Sequence, residues 1–172
     1  MTRVALLALL VVSVASTGAA GQTLTLRDAR MGYSMSDLVE VNQDLKRELG
    51  TGKVETDPAH EICLLKLMQA EELSFRGILD LSTSVNVVSQ MQTPKDENAA
   101  LQGATIEARW LQTNIADAKA GVKKTISLCQ QYPDVASIGQ SLITALDASA
   151  DATGVIVGKT QNVRIDTGGH QH

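Results

Sequence analysis

Cys63, Cys129, His60, His170 and His172 are the residues in this 172-residue sequence whose types suit redox or metal chemistry. His60-Glu61-x-Cys63 sets an imidazole, a carboxylate and a thiol within one helical turn. A helix-borne metal pair needs ligands at i and i+4, as in His-Glu-x-x-His, and no second histidine follows. The segment therefore reads as a solvated first turn, with Glu61 favoured by the positive end of the helix dipole. His170 and His172, with the terminal carboxylate, are the only metal candidates. They could capture Cu²⁺ or Ni²⁺, but a flexible tail has no preformed geometry, so neither a metal site nor a cofactor is expected.

No other constellation fits an enzyme. Gly-x-Ser-x-Gly, Cys-x-x-Cys-His and Glu-x-x-His are all absent, which removes the usual serine nucleophile, c-type heme and di-metal bundle readings. Glu71, Glu72 and Asp80 fall outside the apolar face of their helix, and Arg76 and Arg109 lie on polar arcs. Gly50-Thr51-Gly52-Lys53 lacks the spacing of a phosphate loop and reads as a linker. Lys119, Lys123 and Lys124 form a small basic cluster, ordinary surface charge that could dock an acidic partner. A net charge of −4 and only four aromatic residues (Tyr33, Phe75, Trp110 and Tyr132) leave neither a basic excess nor stacking rings for nucleic acid.

The N-terminus reads as an export signal. Arg3 precedes an apolar stretch from Val4 to Val14, and a small-residue run ends at Ala19-Ala20-Gly21. Residues 1–20 are thus expected to be a signal peptide cleaved after Ala20, because the apolar run is shorter than the ~20 residues a spanning helix needs. The mature chain should have no membrane span and be periplasmic or secreted. In an oxidising compartment the two cysteines of a small domain most simply pair.

The elements around those cysteines agree. After a polar leader (21–35), a helical domain is expected over 36–153, followed by a flexible tail (154–172). Its first helix should run from Asp37 to Leu49, with Ser36 as N-cap and a stripe of Leu38, Val41, Leu45 and Leu49. The second opens at Asp57-Pro58 and reaches about Gln90. The third follows a turn over 92–98 and ends near Gln131. The fourth starts at Pro133-Asp134 and lasts to about Ala152, with a stripe of Val135, Ile138, Leu142, Leu146 and Ser149. Val155-Ile156-Val157 fits either a last helical turn or a short extended piece.

At about 100° per residue, the face of the second helix runs from Cys63 through Leu67, Ala70, Ser74, Ile78, Leu81 and Val85 to Val88. The third helix presents Ala104, Ala108, Leu111, Ile115, Ala118, Val122, Ile126 and Cys129. Folded back on one another, these residues pair Val88 with Ala104 at one end and Cys63 with Cys129 at the other. Every pair keeps nearly the same sum of residue numbers, and half that sum falls at Asp96, inside the turn. The spacing predicts a Cys63–Cys129 disulfide, structural rather than redox-active, clamping a long antiparallel hairpin. A second strip (Leu64, Met68, Phe75 and Leu79, with Ile106, Trp110 and Leu128) should be covered by the first and fourth helices, giving an all-α four-helix bundle. The function expected is a non-catalytic, exported interaction or scaffold module with a protein partner. The alternative is a carrier of a small apolar ligand or metal ion, with a core cavity lined by Met68, Phe75 and Trp110.

Overall fold

The structure, a computed structural model, describes residues 31–51 and 57–161. The expected signal peptide and the His170 and His172 pair lie outside the described residues. Four helices follow in order: α1 (Met31–Leu49), α2 (Pro58–Gln90), α3 (Pro94–Leu128) and α4 (Pro133–Gln161). They pack as a bundle in which each helix touches its neighbours in sequence and α1 closes against α4. No helix among the described residues is long and apolar enough to cross a membrane.

Sequence-local chemistry starts and stops the long helices. Asp57 accepts hydrogen bonds from the backbone amides of Ala59 and His60 at 3.1 and 3.2 Å, and Pro58 takes the first helical position, where no amide proton is needed. Thr93 accepts from the Asp96 amide ahead of α3. Pro94 makes the α2–α3 turn tighter than the turn expected over 92–98, so α3 gains a helical turn at its start. Beyond α1, the Gly50 amide returns to the Lys46 carbonyl at 3.0 Å.

The hairpin register is as the apolar stripes require. Cys63 and Cys129 form a disulfide, with Cα atoms 6.3 Å apart across a sequence separation of 66. Leu67, Ile78, Leu81, Val85, Ala104, Ala108, Leu111, Ile115 and Val122 are buried between the helices, and the α4 stripe from Val135 to Ser149 is buried as well. Two glycines let helices close on one another. A Cβ on Gly77 would meet Leu111 Cδ1 at 2.6 Å, and one on Gly139 would meet Ile126 Cγ1 at 2.7 Å.

Three features differ from the sequence expectation. Helix α1 includes Met31–Ser36, so Ser36 is interior rather than a cap. Met31 and Ser34 are buried, and the Ser34 hydroxyl meets that of Ser149 at 2.5 Å, tying α1 to α4. Helix α4 continues to Gln161 through Ile156, which is fully buried, so Val155-Ile156-Val157 is helical. Finally, Leu64 of the second strip is buried and Met68 and Phe75 pack against the core, but Leu79, Ile106, Trp110 and Leu128 are exposed. The α3 part of that strip points away from α4.

Disulfide closure of so long a loop restricts the unfolded chain, a stabilisation of about 4 kcal/mol on the loop-entropy account. The Cys63→Ala/Cys129→Ala variant should therefore remain helical but lose roughly that much in urea unfolding. A loss below about 1 kcal/mol would show that the clamp is not a main restraint.

Candidate functional site

At the disulfide end, the start of α2 and the α3–α4 turn meet through polar groups. The His60 ring stacks on Tyr132, with centroids 4.4 Å apart, and its Nε2 lies 2.7 Å from Asp134 Oδ2. The Tyr132 hydroxyl donates to Asp57 Oδ2 at 2.8 Å. That bond, followed by the His60 amide, holds the Asp57 carboxyl below its ordinary value and pushes the Tyr132 hydroxyl up. His60 is therefore not the solvated first-turn residue its sequence context suggests. It is 6% exposed because Tyr132 covers one face and Asp134 occupies Nε2. The sequence signal was present: His60 and Tyr132 share the register of Cys63 and Cys129, one helical turn further out. These four residues form a latch. Their hydrogen-bonding groups face one another, which suits holding helix ends together rather than meeting a substrate.

A second polar group is buried midway along α2. Glu71 is 2% exposed, contrary to its expected place outside the apolar face, and Asn42 Nδ2 of α1 donates to its Oε2 at 2.5 Å. Burial raises the Glu71 carboxyl above its ordinary value, with Asn42 opposing the shift. Glu71 sits at the margin of the α2 stripe, and the approach of α1 converts that margin into interior.

Among the described residues no group of three or more His, Cys, Asp or Glu could hold a metal ion. Arg76 pairs with Glu72 one turn earlier in α2, and Arg109 is exposed, in keeping with polar arcs. The expected basic cluster is dispersed. Lys119 pairs with Asp147 of α4, Lys123 is exposed, and Lys124 turns toward α2.

A groove runs along the outer seam of α2 and α3. It has a volume of about 630 Å³. Ala70, Ser74, Ala118, Gly121 and Thr125 make a floor of small side chains, with the Ser74 and Thr125 hydroxyls turned back to the Ala70 and Gly121 carbonyls. The walls carry Leu73, Trp110 and Leu128, exposed by 64%, 62% and 61%, with Lys66, Gln69, Asn114, Asp117 and Lys124 between them. Trp110 therefore stands on the outside and does not line a core cavity with Met68 and Phe75. A second hollow continues the seam toward the turn, bounded by Thr83, Ser84, Val87, Gly103, Ile106 and Glu107. The sequence does not mark the groove, because helical period alone cannot say which flank of the hairpin the other helices cover.

Comparison with family models, curated proteins and solved structures gives no match to this chain.

Glu71 gives the fold a pH dependence of defined sign. Its pKa is raised on folding, so the folded chain holds this proton more tightly than the unfolded chain. The site's contribution to stability falls as pH rises from the unfolded glutamate range through the raised folded value. Glu71→Gln retains an oxygen acceptor for Asn42 and removes the charge. The variant should be more stable than the parent at pH 7 in urea unfolding, with the difference fading below about pH 4. A less stable variant at pH 7 would show that the buried charge is well compensated.

Proposed function

We propose that this chain is an exported, non-catalytic helical module that works by protein docking on the outer α2/α3 face. The observation that carries the reading is the groove itself: small side chains form its floor, and Leu73, Trp110 and Leu128 stand exposed on its walls. Exposed large apolar residues around a concave seam, rimmed by charge, are the usual chemistry of an interaction surface, and tryptophan is the side chain most enriched at binding hot spots. A groove between two helices also suits the apolar face of a third.

Export is supported by the N-terminal sequence pattern and is compatible with the Cys63–Cys129 disulfide. A non-catalytic role is supported by the engagement of His60 with Asp134 and Tyr132 and by the placement of the cysteines in a disulfide. The carrier reading has less support. The groove matches a small-ligand site in volume but lies open along its length, and enclosure is what buries most of a small ligand.

A photo-crosslinking amino acid at Leu73, expressed in the native compartment, tests the docking reading. It should yield protein adducts, whereas the same group at Thr144, exposed on α4, should not. Equal or absent crosslinking at both positions would remove the outer α2/α3 face as the docking surface.

A further inference from the structure

The outer stripe of α3 is complementary to a reversed copy of itself. From Gly103 to Leu128 its positions advance in alternating steps of four and three residues, the spacing of a knobs-into-holes seam. Read against a reversed copy of itself, the stripe places Gly103 opposite Leu128, Glu107 opposite Lys124, Trp110 opposite Gly121 and Asn114 opposite Asp117. All four pairs share one sum of residue numbers, so one two-fold axis, passing between Ile115 and Ala116, generates them together. Each large apolar side chain meets a glycine, Glu107 meets a base, and the Asn114 amide meets a carboxylate it can donate to. The parallel alternative would set Glu107 on Glu107 and Lys124 on Lys124, which is repulsive.

We propose that the occupant of this face is a second copy of the chain. Its α3 packs antiparallel on the outer stripe, with Trp110 seated over the partner's Gly121 and Glu107 meeting the partner's Lys124. The proposal rests on the docking reading above and names the partner.

Two further observations support it independently of the pattern. The first is the contrast among glycines. Gly77 and Gly139 are required inside the chain, where Leu111 and Ile126 fill the space a Cβ would take. Gly103 and Gly121 have nothing within 4 Å of that position among the described residues, as is also true of Gly32 and Gly158 in the end turns of α1 and α4. Glycine in a helix interior is unfavourable relative to alanine, and no described neighbour requires it at Gly103 or Gly121. A large side chain arriving from outside does require it. The second observation is Glu107. Its Oε2 is shielded from solvent and has no hydrogen-bond partner among the described residues. A turn of the partly exposed Glu107 side chain toward the seam would bring its carboxylate to a lysine ammonium from across it, and Lys124 is exposed on the rim at the matching register. The symmetry is that of an isologous dimer, in which one patch serves both sides. The paired stripe spans about 37 Å at helical rise, long enough to join both hollows of the seam.

Sedimentation equilibrium of the oxidised chain at about 100 µM tests the proposal. The expected species is a dimer. Glu107→Lys and Lys124→Glu should each weaken it by about tenfold or more, and the two combined should restore it to within a few-fold of the parent. Gly121→Leu should abolish the dimer while leaving helicity and cooperative unfolding intact, since no described atom lies within 4 Å of the added Cβ. A monomeric parent overturns the proposal. So does a dimer indifferent to Gly121→Leu, and so does a failure of the double charge reversal to restore what the single ones weaken. A monomeric parent that still crosslinks through position 73 to a different protein would overturn the second copy while leaving the docking face standing.

Discussion

The antiparallel register of α2 against α3, fixed at one end by the Cys63–Cys129 bond and at the other by the Thr93-Pro94 turn, is the constraint on which the rest of the molecule depends. A shift of a single residue would turn the slipped helix by about 100°. That would carry Ile78, Leu81, Leu111 and Ile115 out of the interior and break the match between stripes. It would also separate His60 from Tyr132, which meet only because they continue the register set by the disulfide. Stability and surface are therefore coupled: the covalent clamp that holds the core aligned also sets Lys66 and Leu73 of α2 along the same groove as Asp117 and Lys124 of α3.

Small residues serve two distinct purposes on this frame. On the inner side, Ala104, Ala108, Gly77 and Gly139 let helices approach until leucine and isoleucine side chains fill the remaining space. On the outer flank, Ala70, Ala118 and Gly121 leave a channel that no other described residue fills. The scarcity of aromatic residues follows from the first use, since close-set helices have little room for rings. The placement of Trp110 follows from the second. The one tryptophan stands where bulk is wanted outside the chain.

Much of the fold was legible in the sequence because helical period is a strong signal over long segments. The α2 and α3 stripes, the proline-marked starts and the disulfide could all be derived from residue spacing. Which flank of each helix is covered could not. Glu71 and Leu64 become interior only because α1 and α4 approach from one particular side, while Ile106, Trp110 and Leu128 stay outside for the same reason. His60 differs from expectation for a related cause: a histidine in a first turn is ordinarily solvated, and its burial arises from the α3–α4 turn, distant in sequence. Ser34 and Met31 read as part of a polar leader because one buried serine contact and one methionine leave little periodic trace. The groove is in this sense a tertiary property.

Trp110 is the only tryptophan in the chain, so its fluorescence reports on the proposed interface without labelling. The direct measurement is acrylamide quenching of the oxidised protein across a dilution series. Quenching should be weak at high concentration, where the partner covers the ring, and should rise to that of an exposed indole as the protein is diluted. Full accessibility at every concentration would contradict the account, because it would leave the groove uncovered by any second copy.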